Sequence, residues 1–276
     1  MRWIIVTDSA CDGGYLGSSY VACLRVPFAL MVGEREYMDD EGLDIGQLMH
    51  DMEHSGAPLK SACPSPRAWC RAFEQGDYII AITISAYLSG SYNSAISGRR
   101  MCLEKYPDKK IFVLDSKSAG PGQGILARKA AEYIKENMTY RLIIDRLSEL
   151  TEHMHTTFAL SSFKNLIKNG RVSHLQGIMA EKLGIWGIGT GDRQGRISMK
   201  AKVRGTKRML QHIIKDIRVH GSSVDMVMIS HCDNEETATE LKYFLQEQCP
   251  GLEIQISPTG GLCSSYAERG GIIVAY

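Results

Sequence analysis

The sequence carries almost no net charge: 32 Lys and Arg stand against 31 Asp and Glu in 276 residues, a formal +1. A global basic field of the kind that draws proteins onto nucleic acid is therefore missing. Long apolar runs are missing too. No stretch reaches the ~18 residues needed to cross a bilayer. The opening Trp3-Ile4-Ile5-Val6 meets Thr7-Asp8-Ser9 too soon for a signal peptide and reads as a first strand. Cysteine is sparse, 8 of 276 residues or about 3%, with no C-x-x-C pair. That excludes a disulfide scaffold and a strong zinc spacing, and it predicts reduced thiols in the cytoplasm. There are no low-complexity linkers and no repeats. No G-x-G-x-x-G follows the first strand, no Gly-Lys-Ser/Thr closes a phosphate loop, and no G-x-S-x-G is present.

What is there is globular. Hydrophobic residues make up 44% and charged residues 23%, which excludes disorder as the main state. In the first half, short apolar runs alternate with helical spacing. Trp3–Val6, Tyr78–Ile84 and Ile111–Leu114 read as strands, and Val26–Val32 as a further apolar run. Segments 44–52, 66–73, 92–106 and 123–137 read as helices, the first capped by Asp44 and the second opened by Ser65-Pro66. This pattern predicts a parallel sheet. Its strands end in small polar loops, Thr7-Asp8-Ser9, 85–91 and 115–124, which should converge on one ligand crevice.

The second half reads differently. Helices are expected at 142–154, 206–217 and 235–248, and strands at 156–160, 184–191, 197–203, 226–229, 252–257 and 272–276. The predicted class is α/β with two lobes, a parallel-sheet lobe over 1–155 and an α+β lobe over 156–276.

Several segments could carry chemistry. Ser89-Gly90-Ser91 stands between a strand and a helix, where hydroxyls and free amides bind an anion; the same residues serve equally as a turn and cap. Lys60–Pro66 is a similar segment. His50-Asp51-Met52-Glu53-His54 matches H-x-x-E-H, a zinc-hydrolase pattern, but an amphipathic surface helix explains it better. His231-Cys232-Asp233 is a strand end, since catalytic pairing is spatial rather than sequential. Lys200, Lys202, Arg204, Lys207 and Arg208 form a basic cluster without interleaved aromatics, either a solvated face or a docking face for an acidic partner.

Taken in order, these segments resemble the DegV family of bacterial fatty acid-binding proteins along nearly the whole chain. Thr7-Asp8-Ser9 resembles the family's T-D-S, and 61–66 its T-S-Q-P-S-P. Residues 84–95 resemble I-S-S-x-L-S-G-T-Y-x-S-A, the most specific match. Asp115-Ser116 with Gly122 and Gly124 is similar to D-S-x-x-x-S-x-G-x-G, and 168–173 to K-G-G-R-I-S. Lys202-Val203-Arg204 and Ile229-Ser230-His231 fall at K-x-R and I-x-H. The resemblance implies two α/β lobes enclosing one long-chain fatty acid in a lipid tunnel, with no cofactor. It implies a carrier that presents the acid to a fatty acid kinase catalytic subunit, for acyl phosphate and phospholipid synthesis. Transient contact with a membrane surface is compatible with that role. The alternative is an acyl hydrolase or transferase with Ser89 as nucleophile.

Carried over residue by residue, the family's carboxylate contacts fall on Ser61 and Ser89, with amides around Gly90. The third, a His, falls on Cys263, because the family's G-x-H-x-G-P-G reads Gly261-Leu262-Cys263-Ser264-Ser265-Tyr266 here. A thiol is a weak donor. Amides of 261–264 or the Ser264 hydroxyl are therefore expected to take over that contact. The kinase-docking residues would be Lys202, Arg204 and Lys207.

Overall fold

A computed structural model of the chain describes residues 2–13, 21–172, 184–220 and 225–276. The first lobe contains β1 (Trp3–Asp8), β2 (Ala22–Val26), β3 (Ala29–Val32), β4 (Arg35–Met38), α1 (Ile45–His54), β5 (Leu59–Ala62), α2 (Pro66–Phe73), β6 (Tyr78–Thr83), α3 (Ser91–Lys105), β7 (Lys110–Asp115), α4 (Pro121–Lys135) and α5 (Tyr140–His153). The second contains β8 (Thr156–Leu160), α6 (Lys164–Lys168), β9 (Ile185–Gly191), β10 (Ile197–Arg204), α7 (Thr206–His220), β11 (Met226–His231), α8 (Glu235–Gln248), β12 (Glu253–Pro258), α9 (Gly261–Ala267) and β13 (Ile272–Ala275).

The first lobe is built on a four-stranded parallel sheet in the order β2-β1-β6-β7. Successive strand side chains point to opposite faces, so a sheet covered on both sides needs unbroken apolar strands. Ile4, Val6, Ile79 and Ala81 pack on Trp69 and Phe73 of α2. Ile5, Ile80 and Ile82 pack on Leu126 and Ala130 of α4 and Ile143 and Leu147 of α5. The caps form as the sequence predicts. Asp44 accepts from Gln47 N at 2.9 Å, and Ser65 accepts from Ala68 N at 3.2 Å with Pro66 in the first turn.

The run Val26–Val32 is not one strand. Pro27 has no N–H for a ladder bond and splits it. β2 stays in the parallel sheet, while β3 leaves for a separate antiparallel sheet in the order β4-β3-β5. That small sheet carries Ser61 on β5.

The second lobe holds a six-stranded mixed sheet, β10-β9-β8-β13-β11-β12. One face is covered by α7 and α8 through Met209, Leu210, Ile213, Leu241 and Leu245. The other meets α4, whose Ile125 packs on Met226, Met228 and Ala275. α4 is thus shared by both sheets and joins the lobes. Its Gly124 reflects that close approach: a Cβ there would stand 2.4 Å from the Asp12 carbonyl oxygen. No helix among the described residues is long and apolar enough to cross a membrane.

Candidate functional site

The polar loops at the carboxyl ends of β1, β6 and β7 converge, and Asp8 is where they are tied. Its fully buried carboxylate accepts from Ser91 Oγ at 2.6 Å, Gln123 Nε2 at 2.9 Å and Ile84 N at 3.0 Å. One side chain thereby fixes the end of β6, the start of α3 and the first turns of α4. Burial pushes its pKa up to about 6, against the pull of those three donors. Ser85 N donates to Ser118 O at 2.8 Å and Ala86 N to Asp115 Oδ1 at 3.1 Å, which sets the 85–91 loop against the 115–124 loop.

Beside these loops, between the lobes, lies a predominantly apolar cavity with about 880 Å³ of atom-free space, its mouth included. Phe28, Ile84 and Leu88 line it from the first lobe, and Phe158, Leu160 and Ile273 from the second. A concave, mostly apolar lining with a few polar groups is the usual character of a site for a small organic ligand. The turn between β9 and β10 seats on its rim. Gly195 there has φ +81° and would place a Cβ 2.4 Å from Ser85 Oγ, while Ser85 Oγ donates to its carbonyl at 2.8 Å.

The polar wall of the cavity contains Ser61, Ser89, Arg171 and Tyr266. Ser89 Oγ accepts from Ser91 N at 3.2 Å, and its own proton has no acceptor among the described residues. Arg171 Nε donates to Leu88 O at 3.1 Å, and its Nη1 donates to Asn169 O. No carboxylate pairs with this guanidinium among the described residues. Ser61 Oγ and Tyr266 OH share a hydrogen bond of 3.1 Å. A Cβ on Gly90 would lie 3.5 Å from Cys63 Sγ, so the loop carrying Ser89 and the strand end carrying Ser61 are neighbours.

Of the sequence-derived contacts, Ser61, Ser89 and Cys263 line the cavity, whereas Gly90, the exposed residue before α3, is not among its lining residues. Cys263 cannot stand in for an imidazole donor. Its buried thiol donates to Ala10 O at 3.3 Å, and burial beside Asp12 pushes its pKa well up. A thiol held protonated in this way is also a poor nucleophile.

Most of the expected substitutes at 261–264 are engaged within the protein, the Cys263 amide excepted. Ser264 Oγ is turned into the protein, 2.7 Å from Thr259 Oγ1. Gly260 N donates to Asp12 Oδ1 at 2.7 Å, Gly261 N and Leu262 N to the two oxygens of Asp39 at 2.8 and 2.9 Å, and Ser264 N to Gly260 O at 2.8 Å. Two carboxylates of the first lobe thus occupy the start of α9. Burial raises Asp12 to about 7, and raises Asp39 as well.

Arg171 and Tyr266 were missed as site residues. Arg171 had a signal, since it lies in the segment similar to K-G-G-R-I-S, whose Ser173 is outside the described residues. Tyr266 had none, because its reach to Ser61 spans 205 residues.

The remaining candidates fall elsewhere. His50 and His54 stack on each other on the surface of α1, where His54 Nδ1 bonds His50 O at 2.7 Å. No metal-ligating cluster occurs among the described residues. His231 accepts from Asn234 N at 3.2 Å at the end of β11. Lys200, Lys202 and Arg204 alternate on the exposed face of the edge strand β10, and Lys207 and Arg208 follow on α7. Lysines on an edge strand also discourage strand pairing between molecules.

Comparison with known proteins agrees with this architecture. A family model described as "Uncharacterised protein, DegV family" matches residues 2–276. A DegV domain-containing protein of Streptococcus pneumoniae is 34% identical, aligned over 100% of this chain and 99% of its own. Among solved structures, a DegV family protein from Eubacterium eligens loaded with heptadecanoic acid superposes with TM-score 0.95 at 33% identity, over 99% of both chains. The Streptococcus pneumoniae Fatty Acid Kinase (Fak) B3 protein loaded with linoleic acid gives TM-score 0.94 at 33% identity, over 100% of this chain and 99% of that one.

Proposed function

The chain belongs to the DegV family, and from that premise and its cavity we propose that it binds one long-chain fatty acid non-covalently and carries it. The observation that carries this reading is an apolar cavity between the lobes whose polar wall offers donors without acceptors. Ser89 has an uncommitted proton, and Arg171 has N–H groups beyond those given to two carbonyls. A guest supplying only acceptors and a negative charge satisfies both, and a carboxylate does so. The remaining wall suits an acyl chain. A 16-carbon acid has about 14 methylenes, so burial supplies roughly 11 kcal/mol before ordering costs.

A carrier fits better than a hydrolase with Ser89 as nucleophile. Among the described residues, the hydrogen-bond partner of Ser89 Oγ is a backbone amide, with no imidazole or carboxylate placed to take its proton. Ser89→Ala is expected to weaken oleic acid binding by ~1.5–3 kcal/mol, as for a hydrogen bond to a charged group. An unchanged dissociation constant, or turnover of an acyl ester that this variant abolishes, would remove the assignment.

The carried acid has to be handed on. Structures similar to this one include a protein named for a fatty acid kinase, so a kinase catalytic subunit is the proposed recipient, in the cytoplasm and with transient contact at membrane surfaces. Lys202, Arg204 and Lys207, exposed together on β10 and the start of α7, form the proposed docking face for an acidic surface of that kinase. Reversing all three charges should slow association and flatten its salt dependence while leaving fatty acid affinity intact. Kinase coupling untouched by the triple reversal would return the cluster to a solvated face.

A further inference from the structure

We infer that the phenol of Tyr266, coupled to Ser61, is a direct ligand of the fatty acid carboxylate; this rests on the fatty acid reading above.

The inference starts from proton counting. A serine and a tyrosine hydroxyl each carry one proton. Their shared 3.1 Å bond uses one of the two, in either direction. The other has no acceptor among the described residues, although both side chains line the cavity. Both side chains are half-buried, and a guest that displaces water from the cavity must supply an acceptor for the remaining proton or leave it unpaired. In the proposed site the Tyr266 hydroxyl donates to the guest while Ser61 donates into the pair, and the chain Ser61–Tyr266–carboxylate is polarised along its length.

Position supports the assignment. Tyr266 lies three residues beyond Cys263 on α9, which puts both on one face of the helix. The thiol is committed to Ala10 O, so the side chain one turn further on, long enough to cross the cavity wall to β5, supplies the polar contact. The helix presenting it is held in place, because Asp12 and Asp39 of the first lobe bind the amides of Gly260, Gly261 and Leu262. A phenol on a helix pinned to the opposite lobe is a preorganised donor. Together with Ser89 and Arg171, it gives the head-group site, among the described residues, three hydroxyls and one guanidinium, with no imidazole.

The test compares oleic acid binding by wild type, Tyr266→Phe, Ser61→Ala and the double variant, with [1-13C]oleic acid as the NMR probe. Tyr266→Phe should lose about 10- to 150-fold in affinity, in the range of one hydrogen bond to a charged group. The double variant should lose less than the product of the single losses, as expected for coupled groups. The carboxyl 13C resonance should shift in Tyr266→Phe, and Tyr266→His should recover part of the affinity by restoring a donor. Wild-type affinity and an unshifted carboxyl resonance in Tyr266→Phe would overturn the inference. Should Tyr266→Phe fail to fold, Ser61→Ala decides alone, since an unmoved resonance there breaks the proposed chain. If wild type itself binds no fatty acid, it is the underlying functional reading that fails.

Discussion

Replacing Asp8 by Ala is expected to destabilise the protein by about 3–5 kcal/mol, the range for breaking a buried polar network. The truncation leaves Ser91 Oγ, Gln123 Nε2 and Ile84 N facing a hole with no acceptor. Each belongs to a different element, so the loss is shared by the end of β6, the start of α3 and the start of α4. Asp8→Asn should cost less. It keeps one acceptor, but its NH2 must confront either Gln123 Nε2 or the pair Ile84 N and Ser91 Oγ. Urea unfolding checks both variants. Because Ser89 sits two residues before Ser91, fatty acid affinity should fall in parallel with the loss of loop order. A stability loss below about 1 kcal/mol in Asp8→Ala would show that the three loops hold themselves, without the carboxylate as their common acceptor.

The second large effect is on the ligand itself. Stripping the bound acid should lower the melting temperature, and adding it back should restore it. A ligand present at 1,000 times its dissociation constant stabilises the folded state by about 4 kcal/mol. For a chain of this size that is on the order of 10 °C. Oleic acid should stabilise more than lauric acid, by the methylenes that the shorter chain leaves unburied. Equal melting temperatures with and without oleic acid would count against an acyl-binding cavity.

How much of this could be read from the sequence depended on where each element's stability comes from. Trp3–Val6, Tyr78–Ile84 and Ile111–Leu114 are legible because a sheet buried on both faces demands unbroken apolar residues. The convergence of the three polar loops follows from the rule that ligands meet the carboxyl ends of parallel strands. β4 and β5 left no such trace. Arg35–Met38 and Leu59–Ala62 are four residues each, mostly exposed or half-buried, and held by pairing with β3 rather than by their own pattern.

α9 is the sharpest case. Gly261-Leu262-Cys263-Ser264-Ser265 is poor helix-forming sequence. The helix exists because carboxylates more than 200 residues earlier in the chain cap its start. The resemblance placed Cys263 at a head-group contact by counting along the motif. Only the folded helix shows that Tyr266, one turn later, is the residue that meets Ser61. Arg171 was present in a matched segment but gained a role only when the structure set its guanidinium on the cavity wall beside Leu88 O.

The central claim, that the cavity between the lobes holds a fatty acid, is tested most directly by mass spectrometry of the purified protein. Native spectra give the occupancy, and organic extraction gives the identity of what is released. One unmodified long-chain fatty acid per chain, released on denaturation without any covalent adduct on Ser89 or Cys263, is the result expected. A chain that carries no acyl ligand and takes up none when incubated with oleic acid, or one that holds an acyl group through a covalent bond, would contradict it.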